Sequence, residues 1–143
     1  MKTAEQLRAL VNNPNVVGFN RLVRQGESNQ TDAAYTIING GAHFSDFPAH
    51  PFGELKTTQG GKAAGAVQWL PTTWADLKRR YPVDCADFSP AAQDFGFVAK
   101  LQDRGALDDV LAGNIGEAVR KCRQEWTSLP GAAENAGTYT LDK

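Results

Sequence analysis

Apolar residues recur every three or four positions in short runs bracketed by proline, glycine and capping side chains, which restricts this chain to a set of short, packed helices. Thr3 and Gln6 have the spacing of a capping box, and the stripe Leu7, Leu10 and Val11 runs to Asn12 and Asn13, predicting a short first helix. Pro14 suits the first turn of a second, whose face of Val16, Phe19, Leu22 and Val23 continues to Gly26 and leaves Glu27 just past its end. Pro71 opens a third helix with Trp74, Leu77 and Tyr81 on one face, and Pro82 stops it. Ser89-Pro90 starts a fourth, with Phe95, Val98 and Leu101, ended by Gly105. A short piece from Leu107 to Leu111 follows. Asn114 then caps a last long helix carrying Ile115, Ala118, Val119, Cys122 and Trp126, which Leu129-Pro130-Gly131 ends; the tail to Lys143 has no apolar period.

One stretch breaks this rhythm. From Ala34 to Ile38 the residues turn β-branched and aromatic, and Asn39-Gly40-Gly41 is a turn signal before Ala42-His43-Phe44, so a small hairpin or sheet is expected. Residues 48–62 carry Pro48, Pro51, Gly53, Gly60 and Gly61 without periodicity and read as an irregular connection between two lobes, the segment expected to move most. The order of helices, small β unit and further helices predicts an α+β fold, mainly helical, with a small β-hairpin or sheet lobe at about 30–60 flanking a binding cleft. With 143 residues, 41% of them hydrophobic, a single domain over 1–143 is expected.

Charge and cysteine usage narrow the partners. The net charge of −1 arises from interleaved charges, with no block suited to a phosphate backbone or an anionic bilayer, so neither nucleic acid nor membrane is an expected partner. No window approaches 18 consecutive apolar residues and no apolar stretch follows the N-terminal lysine, which predicts neither a span nor a signal peptide. Cys85 and Cys122 lack CxxC or metal spacing; they read as reduced thiols in a cytoplasmic protein, with a disulfide as the alternative. His43 and His50 are the two histidines, and no metal set forms around them.

Glu27 is the chemical candidate. Taken alone, a carboxylate at a helix end is ordinarily just solvated. Here Gly26 and Ser28 flank it and leave the backbone room to turn beside a ligand, and Asn29, Gln30 and Thr31 offer groups suited to sugar hydroxyls. Glycosidic cleavage needs a proton delivered to a poor leaving-group oxygen, and a carboxyl partly buried against apolar groups keeps its proton near neutral pH.

The stretch GESNQTDAAYTIINGGAHFSDFPAHP at 26–51, with GKAAGAVQWLPTTW at 61–74 and EWTSLPGA at 125–132, resembles the lambda-type phage endolysins, lysozyme-like lytic transglycosylases; the resemblance covers roughly Leu22 to Ala132. It implies Glu27 as the single general acid and base, followed by the family pattern of Tyr35, Gly40, Gly41, Phe44, Asp46, His50 and Pro51. It implies attack by the muramic acid C6 hydroxyl on its own C1, giving a 1,6-anhydro end, with no second catalytic carboxylate. Asp32, Asp46 and Glu54 then read as turn-forming or solvated groups, the alternative being the water-activating partner of a two-carboxylate hydrolase.

Ser28, Tyr35, Phe44, Asp46, His50 and Gln68 are the expected substrate-binding residues. Each has a second reading. Tyr35 and Phe44 stack on sugars or pack the β unit, and His50 bonds a sugar or a backbone carbonyl, with a general base as the weaker option. His43 reads as surface or structural. Gln68 ends the glycine- and alanine-rich motif that lines the cleft opposite the acid in the resembled family, and is a ligand contact or a core hydrogen bond. The family's arginine-tyrosine pair before that glutamine is Ala66-Val67 here, which puts one substrate or acid-positioning contact in doubt. Trp74 and Trp126 read as core, while Trp69 is open between core and sugar platform. The family's loop after the last long helix, which approaches the cleft, corresponds to Leu129-Pro130-Gly131-Ala132.

The resemblance thus implies a phage endolysin that cleaves the glycan strands of peptidoglycan, working as a monomer without metal or organic cofactor. It would gather in the host cytoplasm and depend on a separate holin to reach the periplasmic cell wall. A hydrolytic muramidase with the same acid is the first alternative, and a non-catalytic glycan-binding or virion-structural module of the same fold the second.

Overall fold

The computed structural model describes residues 1–38, 44, 50–51, 63–126 and 128–129. Six α-helices and one 3-10 segment are described: α1 (Ala4–Arg8), α2 (Pro14–Glu27), the 3-10 segment Asp32–Thr36, α3 (Pro71–Arg80), α4 (Pro90–Asp103), α5 (Leu107–Ala112) and α6 (Ile115–Cys122). Their starts follow from local hydrogen-bond chemistry. Thr3 and Gln6 exchange both bonds of a capping box. Asn13 Oδ1 accepts the N–H groups of Asn15 (2.9 Å) and Val16 (3.3 Å), and Ser89 Oγ that of Ala92 (3.2 Å). Proline occupies the first turn of α2, α3 and α4, where its missing N–H costs nothing.

The expected small sheet lobe is corrected. Among the described residues there is no β-strand; the run read as a strand, Ala34–Ile38, lies largely in the 3-10 segment, and pairing is confined to the isolated bridges Ile38 with Ala64 and Ala64 with Trp69. The described chain is therefore helical rather than α+β. The cause is tertiary: Arg24 bonds the Asn29 and Thr31 carbonyls, and Asp94 and Gln93 hold the side chain and the carbonyl of Tyr35, so a tight turn wins over the β preference of three or four side chains. The turn signal Asn39-Gly40-Gly41, His43, and all of the 48–62 connection except His50 and Pro51 lie outside the described residues. Three boundaries also differ. α1 ends at Arg8 rather than at Asn12 and Asn13, α2 includes Glu27, and α6 stops at Cys122 with Trp126 in the turns beyond.

The core gathers around α4, from which Phe95, Phe97, Val98, Ala99 and Leu101 are all buried. Trp69, Trp74 and Trp126 join it, so the open reading of Trp69 resolves to core: Trp69 lies 5.5 Å from Trp74 and 6.1 Å from Trp126 between ring centroids, and Trp126 5.2 Å from Phe97. Each such ring removes enough apolar surface to be worth roughly 1.5–3 kcal/mol. Gly96 is what lets α4 come so near α3, since a Cβ there would stand 2.8 Å from the Trp74 ring. Cys85 and Cys122 are buried and unpaired, and burial pushes both thiols up to about 12. No helix among the described residues is long and apolar enough to cross a membrane.

Candidate functional site

Glu27 is the last residue of α2 and half-buried. Burial pushes its carboxyl above the ordinary glutamate range, because a charge there would lose hydration; the hydroxyl and N–H of Ser128 oppose that rise by favouring the charged form. No charged side chain among the described residues contributes to the shift. Asp32, at the start of the 3-10 segment, is exposed, while Asp46 and Glu54 lie outside the described residues.

A tight turn faces this end of α2. Ala64 and Trp69 exchange backbone bonds of 3.0 and 2.6 Å, closing a loop of four residues, Gly65 to Gln68. Three side chains from distant elements fasten it. Ser28 Oγ donates to the Ala66 carbonyl, Gln93 Oε1 accepts the Ala66 N–H at 3.0 Å, and Trp126 Nε1 donates to the Val67 carbonyl at 2.9 Å. Gly65 adopts φ +90°, and a Cβ there would meet Gln93 Oε1 at 2.4 Å, so the turn needs glycine for both conformation and space. Ala66 and Val67 are each 2% exposed and form part of the apolar interior.

The other expected ligand residues fall around this turn. Gln68, at φ +55°, donates from Nε2 to the carbonyls of Gly65 (2.9 Å) and Ile37 (3.2 Å), a role within the turn itself. His50 is buried, with Nε2 2.7 Å from the Trp69 carbonyl, and this acceptor fixes Nε2 as the protonated nitrogen. Burial lowers its pKa, only partly offset by that carbonyl. Phe44 packs on the core 5.7 Å from Phe88, and its N–H donates to the Thr36 carbonyl at 2.9 Å. Asp46 lies outside the described residues.

Tyr35 belongs to a second polar group beside α2. Its hydroxyl donates to Asp94 Oδ1 at 2.8 Å and the buried Arg24 guanidinium stands 5.1 Å over its ring. Burial, with Asp94 close by, pushes the phenol well above its ordinary range, and burial also raises the Asp94 carboxyl against the Tyr35 bond. A cleft of about 240 Å³ is lined there by Asn20, Arg21, Arg24, Tyr35, Asp94 and Phe97, and Glu27 is not part of its wall.

Sequence reading thus brought Glu27, Ser28 and Gln68 to one place but missed Ser128, Gln93 and Asp94. Ser128 stood inside the EWTSLPGA stretch without a role, and only the fold puts it against a residue 101 positions earlier. Gln93 gave a signal, since a glutamine at a core-facing position of α4 must find partners when buried. The arrangement can hold a proton on a desolvated carboxyl and stabilise the charge left when that proton is given away.

Several known proteins are similar to this chain in sequence or fold. The model of a family described as endolysin matches residues 16–143. The endolysin of Escherichia phage P2 is 36% identical, the match covering 70% of this chain and 64% of that protein, so less than two thirds of that relative's length is spanned. The endolysin of Escherichia phage lambda is 33% identical, covering 82% of this chain and 74% of that protein. Among solved structures, the bacteriophage lambda lysozyme complexed with a chitohexasaccharide superposes with a TM-score of 0.69 at 26% identity, covering 99% of this chain and 90% of that one. The lysozyme from bacteriophage lambda gives a TM-score of 0.63 at the same identity, over 99% and 86%.

Proposed function

The chain belongs to the endolysin family, and from that membership and the half-buried Glu27 we propose a phage lysis enzyme that cleaves the β-1,4 bond between N-acetylmuramic acid and N-acetylglucosamine in peptidoglycan by lytic transglycosylation. The observation that carries this reading is the half-buried Glu27 carboxyl, whose hold on its proton burial strengthens, with no second carboxylate among the described residues acting on it. Glu27 gives its proton to the glycosidic oxygen as the C1–O bond breaks. The C6 hydroxyl of the muramic acid then attacks its own C1 and returns its proton to Glu27, closing the 1,6-anhydro ring without water. One carboxyl serves both steps.

A lambda lysozyme complexed with a chitohexasaccharide supports an extended sugar strand as the ligand. The turn 64–69, fastened beneath Ser28 and Glu27, is the rigid floor against which such a strand would be held. One domain over 1–143 carries the activity in this account, as a monomer, with a separate holin giving it passage from the host cytoplasm to the wall. Glu27→Gln tests it, since the amide keeps the shape and carries no transferable acid proton. Turbidity clearing of outer-membrane-permeabilised Gram-negative cells should fall by at least about 10³-fold, with sacculus binding retained. Clearing at the wild-type rate would end the proposal.

A further inference from the structure

Ser128 is 9% exposed and pinned from both sides: Trp126, two residues before it, is buried with Nε1 on the Val67 carbonyl, and the fully buried Leu129 donates its N–H to the Trp126 carbonyl at 3.0 Å. These anchors tie its segment to the same turn that Ser28 and Gln93 hold. Its hydroxyl and N–H face the Glu27 carboxyl and favour its charged form, yet the hydroxyl makes no hydrogen bond of regular geometry with any described residue. A buried hydroxyl left in that state loses its hydration with nothing in return. A site that needs a donor only part of the time accounts for it.

We infer that Ser128 is a positioning residue for Glu27: its hydroxyl donates to the Glu27 carboxylate once that group has given up its proton, holding one rotamer and stabilising the charge. With Glu27 protonated the pair is slack. As the proton leaves, the negative charge draws the O–H in, so the interaction is stronger at the transition state than in the resting site, which is what acceleration requires. Among the described residues, no other group acts on the Glu27 carboxyl. Arg24, one turn earlier on α2, is committed to the Asn29 and Thr31 carbonyls and lies over Tyr35, and Asp94 of α4 acts on Tyr35. The inference rests on the reading of Glu27 as acid and base.

The test is a carboxyl-carbon NMR titration of Glu27 in the wild type and in Ser128→Ala, with Glu27→Gln identifying the resonance. Losing a donor to a charged group should move the titration up by about one unit. The high-pH limb of kcat should move up with it, kcat at neutral pH should fall about tenfold with KM unchanged, and Ser128→Thr should restore both. If the alanine variant does not fold, Ser128→Cys, a weak donor of similar shape, makes the same comparison. An unchanged Glu27 titration overturns the inference whatever happens to melting temperature. A moved titration beside a fully active Glu27→Gln upholds the contact and overturns the acid-base assignment instead.

Discussion

Replacing Gln93 by methionine should cost the fold about 3 kcal/mol. The side chain is 2% exposed and makes three bonds: Oε1 accepts the Ala66 N–H at 3.0 Å, and Nε2 donates to the carbonyls of Phe88 (2.8 Å) and Tyr35 (3.0 Å). Methionine keeps the length, the volume and the helix preference, so the change is close to a pure loss of hydrogen bonding. Each orphaned backbone group costs about 1–3 kcal/mol when buried; the low end, about 1, applies where a carbonyl keeps a second lone pair or water can reach it. Three such groups give about 3 kcal/mol. At about 2.1 cal/mol/K per residue, 143 residues unfold with an entropy of about 0.3 kcal/mol/K, so Tm should fall by about 10 °C. Thermal unfolding followed by far-ultraviolet circular dichroism reads this directly. A fall of less than about 3 °C would refute the assignment of Gln93 as the tie between α4, the 3-10 segment and the turn 64–69.

Gly65→Ala should cost at least about 2 kcal/mol, because φ +90° strains any Cβ and the Gln93 oxygen 2.4 Å away is tethered by Ala66; urea unfolding measures it, and a neutral result would mean the turn relaxes freely. Tyr35→Phe removes the donor that favours ionised Asp94, so it should destabilise by about 1–2 kcal/mol at neutral pH and less in acid. The sign follows from linkage: the Asp94 pKa is already raised in the folded state, the variant raises it further, and stability is lost as pH climbs through it; equal costs at pH 4 and 7 would contradict this. Glu27→Gln removes a carboxyl whose burial disfavours charge, so its melting temperature should exceed that of the wild type at neutral pH and approach it in acid.

The helical frame was legible because its signals are local. Asn13 with Pro14, Ser89 with Pro90, and the three- and four-residue spacing of Val16, Phe19 and Val23 carry their meaning within one or two turns, and all reappear in α2 and α4. The strand over Ala34–Ile38 failed because its conformation is decided by Arg24, Gln93 and Asp94, two of them nearly 60 positions away. Trp126 looked like the end of a helix by period, whereas its indole N–H on the Val67 carbonyl makes it the tie between the turn 64–69 and the segment of Ser128. Glu27 stands out as the candidate acid through its glycine and serine neighbours and through family resemblance. What surrounds it was not, since Ser128 reaches it only when the chain has folded back across the whole core.

The chemistry of the product separates transglycosylation from hydrolysis. Mass spectrometry of the muropeptides released from Gram-negative sacculi distinguishes the two ways of breaking the strand, because they differ by one water. Muropeptides ending in 1,6-anhydro-muramic acid, formed by wild type and absent with Glu27→Gln, are the predicted result. Reducing muramic acid ends would contradict it and require a second group that activates water.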